Sequence, residues 1–309
     1  MGNISVAFLE LYNFLHLSSI FEQYMDPAFK NKLEEFVQLA LQEDVGEGDH
    51  TSLSSLPIDK DGEAKLLVKE DGIIAGVEVA AQIFGCVDPT FQVDIFISDG
   101  TPVRVGDVVL NVKGKIHSIL KAERLVLNVM QRMSAIATKT AAYVKILEGT
   151  NTKVLDTRKT TPLLRFLEKK AVIIGGGVNH RFGLYDMILI KDNHVDYAGG
   201  IYNAVQNALD YKKAKNINIP IEVEVRDFEE LKVLMTCQGV ERVMFDNFAP
   251  DDVRKAVELV SGKMVTEASG GITLDTVRDY GTAGVDYVSV GALTHSVYNM
   301  DLSLKARLV

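Results

Sequence analysis

Arg158, Lys159, His180, Arg181 and Lys191 crowd one stretch of a chain that is acidic overall, with 33 Lys+Arg against 42 Asp+Glu and a formal net charge of −9. A local excess of cations in an acidic protein is a place built for an anion. Arginine offers a planar fork that matches a carboxylate or phosphate, and lysine a point charge, so the group suits a ligand with several negative charges. A single Lys or Arg is ordinarily a solvated surface charge; five beside predicted strand ends depart from that pattern. Glu224 and Asp246 add oxygen donors of the kind that hold a hard cation such as Mg2+, directly or through substrate oxygens. An ion pair that only fixes the basic cluster is an equal reading of those two carboxylates. None of the six histidines has the HxxH or HExxH spacing of a zinc site.

Ser269-Gly270-Gly271 and Val290-Gly291-Ala292-Leu293 each follow a predicted strand and precede a helical segment. Glycine exposes backbone N–H groups, and a helix N-terminus favours negative charge. Each motif alone is more often a tight turn; together they point to a phosphate cradle. Gly175-Gly176-Gly177 reads as a flexible turn ahead of Asn179-His180-Arg181. His180 reads as an anion contact rather than a proton shuttle, and His194 as a loop residue. Ser134 and Ser269 have no readable His and carboxylate partners, and no GxSxG occurs, so nucleophilic catalysis has no support.

The elements that must position these residues are legible as periodicity. Apolar β-type runs at 153–156, 187–190, 221–225, 242–245, 264–266 and 287–290 alternate with helix-compatible segments, which predicts a parallel sheet with helical crossovers. Asp156-Thr157-Arg158-Lys159, Lys191-Asp192-Asn193-His194, Glu224, Asp246-Asn247, Glu267-Ala268-Ser269-Gly270-Gly271 and Gly291-Ala292 lie at the ends of those runs. Parallel strands bring all of them to one mouth, as in a (β/α) barrel, here open and of about six strands. Upstream, Leu33, Phe36, Val37, Ala40 and Leu41 recur at helical spacing, 63–115 reads as short strands with one helix around Val77 to Phe84, and 120–147 as a long helix. The stretch 101–107 also has the look of a swivelling carrier domain, but no lysine sits on an obvious hairpin tip, so a structural β domain is the better reading.

A chain of 309 residues, 47% hydrophobic and 24% charged, is long enough for two domains or one large barrel with an appendage. The acidic balance argues against a nucleic-acid binder. Cys86 and Cys237 form no CxxC pair, so neither a disulfide framework nor a thiolate zinc site is indicated and a cytoplasmic location is the default. The apolar stretch from Ile4 to Phe21 is interrupted by Glu10, Asn13 and His16 and lacks a basic lead or a small-residue cleavage site. It reads as an amphipathic helical extension, with Met25 as an alternative functional start, and no membrane partner is expected.

The ordered motifs Asp156-Thr157-Arg158-Lys159-Thr160-Thr161-Pro162, Asn179-His180-Arg181, Ile190-Lys191-Asp192-Asn193-His194, Glu222-Val223-Glu224-Val225, Phe245-Asp246-Asn247-Phe248 and Glu267-Ala268-Ser269-Gly270-Gly271-Ile272 resemble those of quinolinate phosphoribosyltransferase. Glu123-Arg124-Leu125-Val126-Leu127-Asn128 resembles the family's helix motif, and the resemblance runs from about Phe29 to the C-terminus. It implies an α/β fold: an N-terminal α/β sandwich over 29–135, joined by the tail 295–309, beside an open, incomplete α/β barrel over 136–294, with 1–28 as an extension. It further implies transfer of phosphoribosyl from 5-phosphoribosyl-1-pyrophosphate (PRPP) to quinolinate with decarboxylation, a step of NAD biosynthesis, in a homodimer or larger assembly with shared active sites. By that resemblance Arg158, His180, Arg181 and Lys191 line the quinolinate pocket, Arg124 enters it from a second subunit, and Lys159 reaches the donor. Glu224 and Asp246 hold ribose hydroxyls and Mg2+, Ser269, Gly270, Gly271, Gly291 and Ala292 receive phosphate, and Ser289 is a further substrate-binding residue. A Schiff-base lyase using Lys159 or Lys191, and a non-catalytic anion-binding module, are the competing readings.

Overall fold

The computed structural model describes residues 26–307, so the expected helix between Ile4 and Phe21 lies outside the described residues. The chain divides into two compact units. One takes the chain up to Thr138, with Phe166–Gly175 and the stretch from Val297; the other comprises Lys139–Arg165 and Gly176–Ser296.

The first unit opens with α1 (Pro27–Val45), started by the Asp26 carboxylate on the Ala28 N–H and by a proline in its first turn. Leu33 and Val37, one turn apart, are its buried residues. After α2 (His50–Ser55) come β1 (Asp61–Val68), β2 (Gly72–Ile73), α3 (Val77–Val87), β3 (Gln92–Ile95), β4 (Pro102–Val103) and β5 (Val108–Lys115). In β1 the alternate residues Ala64, Leu66 and Val68 are buried, the signature of a sheet covered on one face. The stretch 101–107, considered as part of a carrier domain, is β4 and the turn that leads to β5, closed by the Asp107 carboxylate on the Arg104 N–H. The long helix α4 (Ile116–Ile146) follows without a break, since no Pro or Gly interrupts it.

In the second unit, β6 (Lys153–Leu155), β7 (Ile188–Ile190), β8 (Ile221–Val225), β9 (Arg242–Asp246), β10 (Val265–Ser269) and β11 (Tyr287–Ser289) pair in parallel in the order β6-β11-β10-β9-β8-β7. β6 and β7 end the sheet without pairing to each other, so the barrel is open, as the sequence implies. Between β6 and β7 the chain passes through α5 (Arg165–Ile174), which belongs to the first unit from Phe166 onward; the crossovers of the second unit are α6 (Asp192–Ala198), α7 (Ile201–Lys215), α8 (Phe228–Leu234), α9 (Pro250–Val260) and α10 (Val277–Thr282), with α11 (Ala292–His295) after β11. Strand bounds match the apolar runs to within a residue except at β10, which extends through Glu267 to Ser269 instead of stopping at Thr266. A buried glutamate inside a strand does not look like strand to a hydrophobicity pattern.

Register explains why that glutamate is there. Glu222 pairs with Arg242, Met244 with both Glu224 and Glu267, Asp246 with Ser269, and Glu267 with Tyr287. Side chains alternate across a strand, so Glu222, Glu224, Arg242, Asp246, Glu267, Ser269 and Ser289 share one face. Val223, Val225, Val243, Phe245, Ala268 and Val288 share the other and form its core, each 0% exposed.

The C-terminal strand β12 (Leu302–Arg307) returns to the first unit and pairs antiparallel with β1, giving the sheet order β12-β1-β5-β3. Phe166–Ile174 of α5 also packs there, with Glu168, Lys169 and Lys170 buried. Glu168 is paired with Arg132 at 2.9 Å, and the Lys170 ammonium lies 4.1 Å from the centre of the Phe29 ring. Burial pushes the Lys170 pKa down to about 7, against the opposing pull of Asp99, Asp26 and Glu78.

Candidate active site

Parallel strands deliver their C-terminal ends to one edge of the second unit, and that edge is polar. On the β6 side, Asp156 is fully buried and its carboxylate accepts the His180 N–H at 2.8 Å, while Val178 and Val154 exchange a backbone bond at 2.9 Å. These bonds bring the 175–181 loop beside the end of β6, and with it Arg181 beside Arg158. Arg165 ties the two loops together: its guanidinium donates to the Phe182 carbonyl at 2.8 Å and the Thr160 hydroxyl at 3.0 Å. Burial and the neighbouring Arg158 charge hold the Arg181 pKa below its ordinary value, with Glu222 and Asp186 opposing. Arg158 Nε is buried and has no hydrogen-bond partner among the described residues. Two like charges held side by side, one with an unmet buried donor, are an arrangement that suits an anion.

Across the mouth, Lys191 Nζ lies 3.3 Å from Glu224 Oε2, with the lysine side chain 48% exposed. Burial raises the Glu224 pKa, the Asp246 charge adds to the rise, and Lys191 opposes it. Asp246, one strand over on the same face, accepts from the Asn247 amide at 2.8 Å. Two carboxylates that repel each other at adjacent strand ends, one of them partly exposed, suit a divalent cation, which would relieve the repulsion. His194, by contrast, is spent on local structure: its Nδ1 accepts the Lys191 N–H at 3.0 Å.

The glycine loops are built around close approaches. Gly270 has φ +102°, and a Cβ there would lie 2.1 Å from Asn247 Oδ1; the space beside Gly271, at φ +61°, is open. A Cβ on Gly291 would come within 3.0 Å of the Lys159 side chain and 3.1 Å of the His295 ring. Thr294 fixes the same loop by donating to the Lys159 carbonyl at 2.9 Å. The helices that follow, α10 and α11, have only six and four residues. Backbone N–H groups, rather than a helix dipole, are therefore what these loops offer an anion.

Residues 136–305 match the family described as quinolinate phosphoribosyl transferase, C-terminal domain, and residues 49–134 match its N-terminal domain. The chain belongs to the quinolinate phosphoribosyl transferase family. It is 47% identical over 288 residues to the chloroplastic nicotinate-nucleotide pyrophosphorylase [carboxylating] of Arabidopsis thaliana, covering 88% of this chain and 82% of that one. To the probable nicotinate-nucleotide pyrophosphorylase [carboxylating] of Bacillus subtilis it is 42% identical over 266 residues, covering 86% and 90%. The solved structure of the nicotinate-nucleotide pyrophosphorylase from Francisella tularensis superposes with a TM-score of 0.83 at 38% identity, over 90% of this chain and 97% of that one.

In this phosphoribosyl transferase, Arg158, Arg181, Lys191, Glu224, Asp246, Ser269 and Gly270 lie at the one polar edge, and Lys159 packs on Gly291. Arg124 is exposed on α4 in the first unit. His180, read from sequence as an anion contact, has Nδ1 accepting from the Arg181 N–H and Nε2 facing the carboxylates of Glu222 and Glu267. Of Glu222, Arg242, Glu267 and Arg165, the two glutamates are quoted within sequence motifs above, and none of the four has a role of its own assigned from sequence. The first three carried a signal, namely polar residues at period two inside apolar strands, in register with Glu224 and Asp246. Arg165, a helix-start residue making loop contacts, carried none.

Proposed function

We propose that this chain is a transferase that joins quinolinate to the phosphoribosyl group of PRPP and releases CO2, pyrophosphate and nicotinate mononucleotide, a precursor of NAD. The observation that carries the reading is the Arg158–Arg181 pair with its unmet buried donor, a fit for a dicarboxylate, on a chain of this family. In the reaction the pyridine nitrogen forms a bond to the anomeric carbon as the bond to pyrophosphate breaks. The carboxyl beside the nitrogen then leaves as CO2, and its electron pair, stabilised by the cationic ring nitrogen, takes up a proton.

Each group has a task that its chemistry suits. Arg158, Arg181 and Lys191 neutralise and orient the dianion. Glu224 and Asp246 bind the ribose hydroxyls and face the positive charge that develops on the sugar. Lys159 and the glycine loops at 269–271 and 289–292 receive the donor's phosphates. Mg2+, held by Glu224 and Asp246 directly or through the donor's oxygens, would supply charge neutralisation for departing pyrophosphate. Quinolinate titrated calorimetrically into the protein tests the pocket: binding is expected in wild type and lost in R158A, and equal binding by both would remove the arginine pair from the site.

The Schiff-base reading fits less well, because Lys191 is half exposed and paired with Glu224 rather than held in the apolar surroundings that activate an amine. Arg124, exposed on α4, supports a homodimer in which each protomer lends this arginine to its partner's site. No helix among the described residues is long and apolar enough to cross a membrane. The paucity of cysteine supports a cytoplasmic location, although several relatives are named as chloroplastic or mitochondrial enzymes.

A further inference from the structure

The stretch that leads from Arg181 to the start of β7 lies wholly in the second unit and is tied down at three consecutive backbone positions. The Arg181 N–H donates to His180 Nδ1 at 2.7 Å, the Phe182 N–H to Asp186 Oδ2 at 2.6 Å, and the Gly183 N–H to Asp186 Oδ1 at 2.9 Å. From the other side the Phe182 carbonyl accepts from Arg165 at 2.8 Å, and that guanidinium lies 5.9 Å from the centre of the Phe182 ring. The Arg181 side chain closes the same loop by donating one N–H to the Met187 carbonyl at 3.2 Å. One arm of its fork is thus anchored, which leaves the rest for a carboxylate.

Asp186 acts on Arg181 in two ways. Its two oxygens take two successive N–H groups, reaching back four and three residues, and so fix the direction in which the chain leaves Arg181. Its charge also supports the Arg181 guanidinium, against burial and against the like charge of Arg158. The carboxylate is itself kept ionised: burial pulls its pKa up, but the Gly183 and Phe182 N–H groups and the Arg181 charge outweigh burial and hold it below the ordinary value. The loop has little slack, since a Cβ on Gly183 would lie 2.5 Å from the Tyr185 ring. An aspartate that closes a turn is ordinarily a local structural device. This one closes the turn that leaves a guanidinium held beside a second guanidinium, and supplies part of the negative charge that arrangement needs.

We propose that Asp186 is a positioning residue for the pyridine dicarboxylate: through the Phe182 and Gly183 backbone and through its charge, it holds Arg181 beside Arg158 so that both can meet one substrate. This assignment rests on the transferase reading above. Asp186 touches no substrate and acts through Arg181 alone, so removing it should cost binding only while Arg181 is present.

A double-mutant cycle on full-length protein, read by calorimetric titration with quinolinate, tests that coupling. D186A should weaken quinolinate binding about tenfold in the wild-type background and less than about twofold in R181A, with the PRPP KM of D186A unchanged. D186N, which offers an oxygen to only one of the two N–H groups and carries no charge, should fall between wild type and D186A. In the resting protein, hydrogen exchange should find the Phe182 and Gly183 amides protected in wild type and exposed in D186A. An equal loss of affinity from D186A in both backgrounds, an unchanged affinity in the wild-type background, or a PRPP KM that rises in step would overturn the proposal, as would unprotected amides in wild type. If D186A does not fold, D186N takes its place in the same cycle. If wild type binds no quinolinate, the transferase reading fails, while the exchange measurement, made without ligand, still tests the grip of Asp186 on the loop.

Discussion

At the scale of single residues, the cations declared themselves and the groups that hold them did not. Arg158, Arg181 and Lys191 stood out because charge at strand ends in an acidic chain has few structural explanations. Glu222 and Glu267 were quoted within motifs but given no role, since buried carboxylates acquire meaning only when register shows what they face. The Arg158–Arg181 pair makes the plainest prediction. Losing one charge-assisted bond to a desolvated carboxylate costs about 1.5–3 kcal/mol, so R158A or R181A should raise the quinolinate KM by roughly ten- to a hundredfold, read by steady-state kinetics, with the PRPP KM little changed. A proportional rise in both constants would mean that the arginines shape the mouth rather than recognise the dicarboxylate. R165A, which touches only the loops beside them, should weaken quinolinate binding in the same sense but less.

At the scale of elements, apolar runs located all six parallel strands, and the exception is informative. β10 was cut short because Glu267 and Ser269 are polar, although they belong to the strand and point to its functional face. Its end is locked to β9 by Gly270, where a Cβ would collide with Asn247. G270A should therefore lower stability by about 1–3 kcal/mol in denaturant unfolding and depress activity further by moving Asp246; a variant as stable and active as wild type would show that the left-handed turn is not needed. Helix α5 was legible as a helix, but not its buried charges. Lys170 is depressed in the folded state to about 7 from an ordinary value of 10.5. Between those pH values the unfolded chain binds the extra proton, so stability should rise as pH increases from 7 toward 10, by at most about 1.4 kcal/mol per pH unit. Denaturant titrations at pH 7 and 9 measure this slope, which K170M should reduce; an identical slope in K170M would assign it to other groups.

At the scale of the whole molecule, the two-part organisation followed from the shift between turn-rich β pattern and β/α alternation. The pairing of β12 with β1 did not, because partners at opposite ends of a chain leave no local trace; there the family resemblance did the work. Assembly belongs to this scale as well. If Arg124 serves a neighbouring protomer, R124A and K191A should each be inactive alone but recover activity when mixed. Random exchange gives roughly half mixed dimers with one intact site each, or about a quarter of wild-type activity; no recovery on mixing, with exchange verified, would place Arg124 in its own protomer's chemistry or outside the site. The account as a whole stands on one measurement. Purified protein with quinolinate labelled in the carboxyl next to the nitrogen, PRPP and Mg2+ should release labelled CO2 and pyrophosphate in equal amounts, and neither product when PRPP is omitted. Folded protein that releases neither, or CO2 without PRPP, would contradict it.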